Sequence, residues 1–302
     1  MKKPTVTIGI PAYNEEKNIK NLVLSLLKQD SKSFLLKQIV VVLDGSTDNT
    51  KLNLERVTDK KIVTIIHRRR LGKNRCLNEI FQKSDTNILI LMDADVLPKG
   101  NKFLENIVNV FSKNPKTSLV CIKTEPFKAR NWFEKIINTS HRLKIRLNSF
   151  VANLKPVYVC NGRTLGLTRS LYKKLKLPTN VLADDAYICL YSIKYGLKIR
   201  YSESVTVNYR SPSNIRDHIN QSARFYNSKK QLKKYFGRTF TNNEYFLSKY
   251  LLFKTFLSGV FTEPAGTLAY VFILMYVKLL VNGHLAESSY MWDVPVSSKK
   301  YI

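Results

Sequence analysis

NILILMDADVLP, residues 87–98, joins an apolar run to two carboxylates that are one residue apart. The run Ile88–Met92 has the length and composition of a strand that is buried on both faces, as in a parallel sheet. Asp93 and Asp95 follow it directly, although buried carboxylates are costly unless they are paired or bound to a cation. The pattern predicts either a divalent-cation site at the end of a strand or an ordinary polar exit from strand to loop.

The composition indicates a folded and strongly basic protein. The chain has 302 residues, 44% of them hydrophobic, and its formal net charge is +28. Such a surface attracts nucleic acid, anionic lipid headgroups or phosphorylated substrates, although a solvated lysine-rich surface would explain much of the charge. The cysteines are far apart and form no Cys-x-x-Cys pair, which indicates neither a zinc site nor a disulfide framework. The start, MKKPTVTIGIP, resembles a first strand rather than a signal peptide, so we expect the front of the protein in a reducing space such as the cytoplasm.

Strand and helix patterns alternate in the first half of the chain. The predicted strands are TVTIGI, QIVVVL, KIVTIIH, NILILM and SLVCIK. Helical patterns lie between them, at about residues 15–29, 48–57, 73–83 and 101–113. This alternation predicts a parallel sheet with right-handed crossovers, in which ligands bind beyond the carboxyl ends of the strands. Polar segments follow the first four strands at that edge, namely PAYNEE (11–16), DGSTDNT (44–50), HRRRLGKNRCLNE (67–79) and DAD (93–95).

In their order and spacing, PAYNEE, DGSTDNT, LGKNRCLNE and MDADV resemble the motifs of family 2 glycosyltransferases. The resemblance covers roughly residues 4–230. It implies the α/β GT-A fold, a Rossmann-like and mostly parallel sheet flanked by helices. It also implies transfer of a sugar, usually with inversion, from a nucleotide-sugar such as a UDP- or GDP-sugar to an acceptor. We therefore predict a glycosyltransferase domain at residues 1–238 and an apolar helical segment at residues 239–302.

The resemblance places the donor nucleotide against residues that follow the first three strands. Asp44 opens a turn where its carboxylate can accept hydrogen bonds from a nucleobase or ribose, and Gly45 allows a flat ligand to approach closely. Asp48 is predicted to cap the next helix, and Arg68–Arg70 are predicted to be a solvated cluster. The other expected donor contacts are Pro11, Ala12 and Glu15 around the nucleoside, and Lys73, which can reach a phosphate.

The resemblance also implies that Asp93 and Asp95 act at the donor together with a divalent cation. Departure of a nucleoside diphosphate concentrates negative charge, which a divalent cation stabilises. Mg²⁺ usually takes one or two protein carboxylates together with phosphate oxygens and waters. We expect Mg²⁺ or Mn²⁺ in direct contact with Asp95, while Asp93 touches the ribose or the donor sugar, or reaches the metal through water.

Inverting transfer needs a base for the acceptor hydroxyl, and LADDAYICLYSIKYGLKIRY (182–201) offers two candidates. Asp184 and Asp185 lie at a predicted helix start, where the helix dipole alone would favour acidic residues. The segment resembles the family's Glu-Asp motif, which implies that Asp185 is the base and that Asp184 replaces the Glu. An adjacent carboxylate would raise the pKa of the base. CNGRTLGLTR (160–169) precedes it and either forms a hairpin turn or lines the acceptor side with Asn161, Gly162 and Arg163.

A further helical segment, INQSARFYNSKKQLKKYFGR (219–238), places Gln221 and Arg224 on one face. It resembles the Gln-x-x-Arg-Trp motif of polysaccharide synthases, which implies that Arg224 binds the diphosphate and Gln221 the donor or the acceptor. Phe225 stands in place of Trp and lacks the indole donor, which argues against processive synthesis. An ordinary amphipathic helix is the alternative.

The tail is more apolar than the rest of the chain. Residues 246–261 and 267–281 are rich in aliphatic and aromatic side chains, and EPAG at 263–266 interrupts them. Neither segment reaches the roughly 20 apolar residues of a spanning helix. Tyr, Phe and Lys among Leu favour a helix at a membrane interface or a re-entrant hairpin, while a buried hairpin or an oligomer contact is the alternative. We therefore expect a protein on the cytoplasmic face of an anionic membrane, peripheral or partly embedded, whose acceptor is a glycan or a polyprenyl-type lipid.

Two other classes of protein fit parts of the sequence. A nucleotidyltransferase also has a parallel sheet and metal-binding Asp residues, but it normally has a Gly-rich, basic loop where this chain has PAYNEE. A non-catalytic binder of membrane or nucleic acid would have a suitable charge, but it would not need Asp44, Asp93, Asp95 and Asp185 together. We expect no specific nucleic-acid partner.

Overall fold

The structure, a computed structural model, describes residues 2–151, 154–283 and 299. One mixed sheet of eight strands forms its centre. The strands are β1 (Thr5–Ala12), β2 (Leu35–Asp44), β3 (Ile62–His67), β4 (Ile88–Met92), β5 (Val96–Pro98), β6 (Thr117–Pro126), β7 (Thr164–Thr168) and β8 (Lys198–Tyr209). Their order across the sheet is β3-β2-β1-β4-β7-β6-β8-β5.

The first half of this sheet is the predicted parallel part. β1 pairs in parallel with β2 and with β4, and β2 pairs in parallel with β3. β7 joins β4 and β6 in antiparallel pairs, whereas β6 and β8 are parallel. The carboxyl ends of β1 to β4 therefore meet at one edge, and the predicted mostly parallel α/β fold is confirmed.

Helices cover the sheet and continue into the tail. They are α1 (Ile19–Leu27), α2 (Thr50–Glu55), α3 (Lys73–Lys83), α4 (Phe103–Lys113), α5 (Trp132–Val151), α6 (Arg169–Tyr172), α7 (Asp184–Lys194), α8 (Ile215–Phe236), α9 (Arg238–Glu244), α10 (Lys249–Thr262) and α11 (Pro264–Gly283). α3 has the predicted bounds. α1 begins at Ile19 rather than near residue 15, because Asn14 has a left-handed φ of 53° and a turn closes on the Glu15 carbonyl before the helix starts.

Apolar side chains pack on both faces of the sheet. Ile8 and Ile10 of β1 contribute to the core that includes α1 and α4, whereas Leu89 and Leu91 of β4 contribute to the core that includes α3 and α7. All of Ile88–Met92 is buried, as predicted for a strand covered on both faces. Gly9 allows α3 to lie close to β1, since a Cβ at Gly9 would stand 2.4 Å from Ile80 Cγ2. This close packing brings the start of α3 to the polar edge of the sheet.

The last two helices form a hairpin that packs on α5. Arg142 Nη2 donates to Glu263 Oε2 at 2.6 Å, and Arg146 Nη1 donates to the Ser258 carbonyl at 2.7 Å. The turn at Glu263 falls in the predicted EPAG break. Among the described residues, no helix is long and apolar enough to cross a membrane. The outer side of the hairpin carries exposed residues that we call the apolar face, namely Tyr250, Phe253, Phe261, Phe272 and Leu279.

The predicted boundary after residue 238 remains a prediction. α9 follows α8 directly, and the Tyr158 hydroxyl donates to the Tyr245 carbonyl at 2.8 Å. The Tyr245 side chain is buried and lies edge-on to Tyr158. The predicted second segment therefore begins with residues that pack on the first, and the hairpin follows them.

Candidate functional site

A single ammonium group joins the end of β4 to the start of α7. Lys73 Nζ lies 2.6 Å from Asp93 Oδ1 and 3.1 Å from Asp184 Oδ2. Asp185 is the next residue, and its Oδ2 accepts a hydrogen bond from the Gly162 N–H at 2.7 Å. The predicted donor-side carboxylate, the two candidate bases and one predicted acceptor-side residue therefore meet in one crevice.

Burial and mutual repulsion shape the ionisation of these groups. Burial raises the pKa of Asp93 to about 6, with Asp95 and Asp184 adding to the rise and Lys73 opposing it. Burial and the charge of Asp184 also raise the pKa of Asp185, while Lys73 opposes the rise. Burial alone would lower the pKa of Lys73, but the neighbouring carboxylates outweigh it and the pKa is raised. Lys73 therefore stays charged, whereas Asp93 and Asp185 bind a proton at higher pH than an ordinary aspartate does.

A second group of carboxylates lies beside Asp95. Burial raises the pKa of Glu15 to about 7, and the charge of Asp95 contributes to the rise. Asp95 also raises the pKa of Asp93, so negative charges crowd this end of β4. No hydrogen bond or ion pair to Asp95 is present within the part of the chain that the structure describes. Since a divalent cation would relieve this repulsion, the oxygens of Asp93 and Asp95 fit the predicted Mg²⁺ or Mn²⁺.

Asp44 is more constrained than the sequence indicates. Its Oδ1 accepts from the Leu71 N–H at 2.7 Å, its Oδ2 accepts from the Gly72 N–H at 2.8 Å, and His67 Nδ1 lies 3.1 Å from Oδ1. His67 Nε2 lies 2.8 Å from Glu79 Oε2. These contacts use three of the roughly four lone-pair sites of a carboxylate. Asp44 therefore fixes the loop that leads into α3.

No sequence pattern indicated the roles of His67 and Glu79. Burial alone would lower the pKa of His67, but hydrogen bonds to Asp44 and Glu79 outweigh it and the pKa is raised. Asp44, His67 and Cys76 have possible metal-ligand atoms within 4.8 Å of one another. However, burial raises the pKa of the Cys76 thiol, and the other two residues already hold one another. We interpret this group as a support for the loop rather than a metal site.

The end of β1 lies beside the loops that follow β2 and β3. Pro11 and Ala12 are the last residues of β1, and the Arg70 guanidinium stacks on the Tyr13 ring at 4.0 Å. Arg70 is half-buried whereas Arg68 and Arg69 are exposed, so the predicted solvated cluster includes one stacked member. The N-cap residue of α2 is Asn49 rather than the predicted Asp48, but Asp48 Oδ1 accepts from the Thr50 N–H at 3.0 Å where the helix begins. Lys299 Nζ also reaches this region and lies 3.1 Å from Glu15 Oε1.

On the predicted acceptor side, Arg163 packs on Tyr209, and His141 holds Tyr209 in place. The Arg163 guanidinium stacks on the Tyr209 ring at 3.6 Å, and its carbonyl accepts from the Asp93 N–H at 3.0 Å. Tyr209 Oη lies 3.1 Å from His141 Nδ1, and His141 Nε2 lies 2.6 Å from the Thr124 carbonyl. Burial and the charge of Arg163 lower the pKa of His141 to about 4. His141 is therefore neutral, donates through Nε2 and accepts from the tyrosine, which fixes the ring under Arg163.

Asn161 and the residues of α8 complete the predicted set. Asn161 Nδ2 donates to the Ile122 carbonyl at 3.3 Å, while its buried Oδ1 has no partner among the described residues. Arg224 of α8 lies close enough to Asp185 to lower its pKa. Gln221 is one turn earlier on the same helix, and Phe225 is 58% exposed. The structure thus brings Arg224 to the site and directs the aromatic ring that replaces Trp towards solvent.

Several relatives match part of the chain. An undecaprenyl-phosphate 4-deoxy-4-formamido-L-arabinose transferase from Proteus mirabilis is 30% identical over 94 residues, which cover 30% of this chain and 29% of the relative. A poly-beta-1,6-N-acetyl-D-glucosamine synthase from Staphylococcus epidermidis is 29% identical over 119 residues, which cover 38% and 27%. The chain therefore spans less than a third of the length of either relative.

The fold is shared over a greater length. A mannosyltransferase from Pyrobaculum calidifontis, solved with GDP-Man and Mn²⁺, gives a TM-score of 0.64 at 18% identity, with 96% of this chain and 85% of that chain covered. Glucosyl-3-phosphoglycerate synthase from Mycobacterium tuberculosis, solved with Mn²⁺, UDP and glucosyl-3-phosphoglycerate, gives 0.56 at 19% identity, with 78% and 80% covered. Both likenesses confirm the predicted GT-A fold. Residues 7–175 match the family model described as Glycosyl transferase family 2. Since this match extends over more than half of the sequence, the chain belongs to glycosyl transferase family 2.

Proposed function

We propose that this protein is an inverting glycosyltransferase that transfers a sugar from a UDP- or GDP-sugar and requires a divalent cation. The observation that carries the proposal is the contact of Lys73 Nζ with both Asp93, at 2.6 Å, and Asp184, at 3.1 Å. This contact brings Asp93, which is expected at the donor, next to the acidic pair Asp184 and Asp185, which is expected at the acceptor. The relatives named above support the reaction class, and two similar structures hold a nucleotide or nucleotide-sugar with Mn²⁺.

In this proposal the residues divide into a donor side and an acceptor side. Asp95, with Asp93, holds Mg²⁺ or Mn²⁺, which when bound stabilises the negative charge of the departing diphosphate. Asn161, Gly162 and Arg163 line the acceptor side. The donor side consists of Pro11, Ala12, Glu15, Asp44, Lys73, Asp93, Gln221 and Arg224.

Asp185 is the proposed general base. A carboxylate accepts a proton more readily when its pKa is raised, and burial together with Asp184 raises the pKa of Asp185. The Gly162 N–H, which donates to Oδ2 at 2.7 Å, orients the carboxylate. A base is required by a hydroxyl acceptor, so these features favour a hydroxyl over a lipid-linked phosphate. The name of the Proteus mirabilis relative includes undecaprenyl-phosphate, which keeps the lipid-linked phosphate as the second candidate.

We further propose that the protein works on the cytoplasmic face of a membrane and contacts it through the apolar face. Phe261 is 84% exposed, Leu279 is 73% exposed and Phe272 is 72% exposed. Exposed Lys249, Lys254 and Lys278 lie on the same two helices, and the net charge is +28. Apolar side chains at the headgroup boundary, together with lysines near anionic lipid, are the two contributions that bind a peripheral helix to a membrane.

A nucleotide panel tests the function. We expect UDP or GDP to raise the melting temperature when Mn²⁺ or Mg²⁺ is present, and to have little effect in EDTA. Sugar transfer from the matching nucleotide-sugar would then be measured with glycan and polyprenyl phosphate acceptors. Stabilisation by nucleoside triphosphates with release of pyrophosphate would instead favour a nucleotidyltransferase. An absence of stabilisation by any nucleotide would contradict the proposal.

A further inference from the structure

Lys73 is fixed at both ends of its side chain. It is the first residue of α3, and the preceding Gly72 has a left-handed φ of 96°. The Gly72 N–H donates to Asp44 Oδ2 at 2.8 Å, which anchors the backbone at the end of β2. At the other end, the ammonium contacts Asp93 and Asp184, and only 10% of the lysine side chain is exposed.

The crevice around the ammonium is narrow. Apolar side chains of Leu77, Leu91 and Met92 line it with Asp93 and Asp184, and the space inside it does not accommodate a water molecule. A Cβ at Gly162 would lie 3.4 Å from Lys73 Nζ and 3.5 Å from Asp185 Cβ. If the ammonium left to bind a phosphate, two carboxylates would lose their counterion in this poorly hydrated place, and removing one partner from a buried ion pair is strongly destabilising.

We propose that Lys73 is a positioning residue that holds the donor-side Asp93 and the acceptor-side Asp184 at a fixed separation, rather than a ligand of the donor phosphate. The inference rests on the proposed function and revises the role expected for this lysine. One ammonium shared by two carboxylates sets the position of Asp184, and Asp185 follows it directly in α7. The lysine thereby places the base relative to the donor.

Removing the lysine charge would also change the ionisation of the proposed base. Lys73 lowers the pKa of Asp185 against the effect of burial, because a nearby opposite charge favours the ionised carboxylate. Without Lys73, the pKa of Asp185 would rise further, and the base would gain a proton at higher pH. The acidic limb of the pH–rate profile would therefore move to higher pH.

The test is a double-mutant cycle of Lys73→Met, Asp184→Asn and the double variant. In Lys73→Met we expect kcat to fall about tenfold or more while the donor KM changes less than about threefold, since positioning acts on the chemical step. The acidic limb of the pH–rate profile should move to higher pH. The same lysine substitution should have a clearly smaller effect on kcat in the Asp184→Asn background, because residues that act through one another are not additive.

Two controls separate this inference from folding and from the proposed function. Lys99→Met removes a lysine that pairs with Glu125 at 2.8 Å and is 61% exposed, and it should leave the rate profile unchanged. Lys73→Arg keeps a cation and should retain the acidic limb of the wild type even if its rate is lower. The melting temperatures of the wild type, the two single variants and the double variant should be measured without nucleotide. Lys73→Met should lower the melting temperature less in the Asp184→Asn background than in the wild type. This measurement tests the coupling even if the wild-type protein binds no nucleotide.

Three outcomes would overturn the proposal. The first is a donor KM raised about tenfold or more with kcat unchanged, which identifies a phosphate ligand. The second is a lower kcat with an unmoved acidic limb, which identifies a merely structural lysine. The third is additivity of Lys73→Met and Asp184→Asn in both rate and melting temperature. If Lys73→Met does not fold, Lys73→Arg and the comparison of the double variant with Asp184→Asn give the same decision.

Discussion

Replacing Asp185 by Asn tests the proposed base, and the structure predicts the cost to stability. Asp185 Oδ2 accepts from the Gly162 N–H at 2.7 Å, and Oδ1 accepts from the Ala186 N–H at 2.8 Å. An asparagine has only one oxygen, so one of these backbone N–H groups would face an NH₂ group. A buried donor left without an acceptor costs roughly 1–3 kcal/mol. Asparagine carries no charge, however, and the cost of burying an ionised carboxylate disappears.

These two effects oppose one another, and pH separates them. Burial and Asp184 raise the pKa of Asp185, so its ionised form is less favourable in the folded protein than in the unfolded chain. The wild type should therefore lose stability as pH rises from the ordinary Asp pKa through the raised one. Asp185→Asn should lack that part of the decline. At neutral pH we expect the free energy of unfolding to fall by less than about 3 kcal/mol, since only the lost hydrogen bond acts against the variant.

The effect on catalysis should be much larger than the effect on stability. Loss of a general base lowers the rate by about 10²–10⁴-fold, and we expect this loss with a hydroxyl acceptor. A phosphate monoester has a second pKa of about 6 and is mostly ionised at neutral pH, so it does not need a base. If the acceptor is a lipid-linked phosphate, Asp185→Asn should retain most of its activity with that acceptor.

The assay measures transfer of a labelled sugar to both acceptor types, with donor affinity determined by calorimetry. Asp184→Asn is the matched control, because it makes the same chemical change one residue away and affects the contact with Lys73 at 3.1 Å. Donor affinity should be nearly unchanged in Asp185→Asn. The assignment is refuted if Asp184→Asn abolishes transfer to a hydroxyl while Asp185→Asn retains it. Equal activity of wild type and Asp185→Asn with every hydroxyl acceptor would exclude a base at this position.

Three further predictions follow from the site and the surface. Asp95→Ala should abolish metal-dependent binding of UDP or GDP in calorimetry, whereas equal wild-type affinity with and without EDTA would refute the metal role. Because the pKa of His67 is raised in the folded protein, protonated His67 should stabilise the wild type below the ordinary His pKa, and this stabilisation should be lost as pH rises through the raised pKa. In melting experiments at different pH values, His67→Gln should lack this decline. An identical decline in wild type and variant would count against the role of His67 in supporting the loop. Phe261→Ser with Phe272→Ser should weaken sedimentation with anionic liposomes at a salt concentration that screens charge. Tyr195→Ser should not weaken it, because this 62% exposed tyrosine follows α7 and is not part of the apolar face. Equal sedimentation of both variants would contradict the membrane proposal.

The parallel half of the sheet could be predicted because its signals are local. A buried strand such as Ile88–Met92 is a continuous apolar run, and the bounds of α3 follow from a glycine before it and an amphipathic pattern within it. The topology then brings the strand ends together without any knowledge of side-chain contacts. The meeting of Asp93 with the acidic pair of α7 was predicted only through family resemblance, since about 90 residues separate them in the sequence.

The contacts that organise the site could not be predicted in the same way. Arg163 stacks on Tyr209, and His67 bridges Asp44 and Glu79. Each contact depends on side-chain direction across separate elements, and no sequence period encodes it. The left-handed turn at Asn14, after which α1 begins, is likewise not encoded by a sequence period.

The charge of the whole protein and the charge of its site have opposite signs, and this difference constrains how the donor binds. The net charge of +28 should attract an anionic nucleotide-sugar from solution, but that attraction is screened over about 8 Å at physiological salt. In the proposed function the donor lies near Asp93, Asp95 and Glu15, and burial with mutual repulsion already raises the pKa of Asp93 and of Glu15. A diphosphate would add further negative charge at this place, and Lys73 does not neutralise it while it remains paired with Asp93 and Asp184. We therefore expect the long-range field to favour arrival of the donor, and we expect its final binding to need the proposed metal ion.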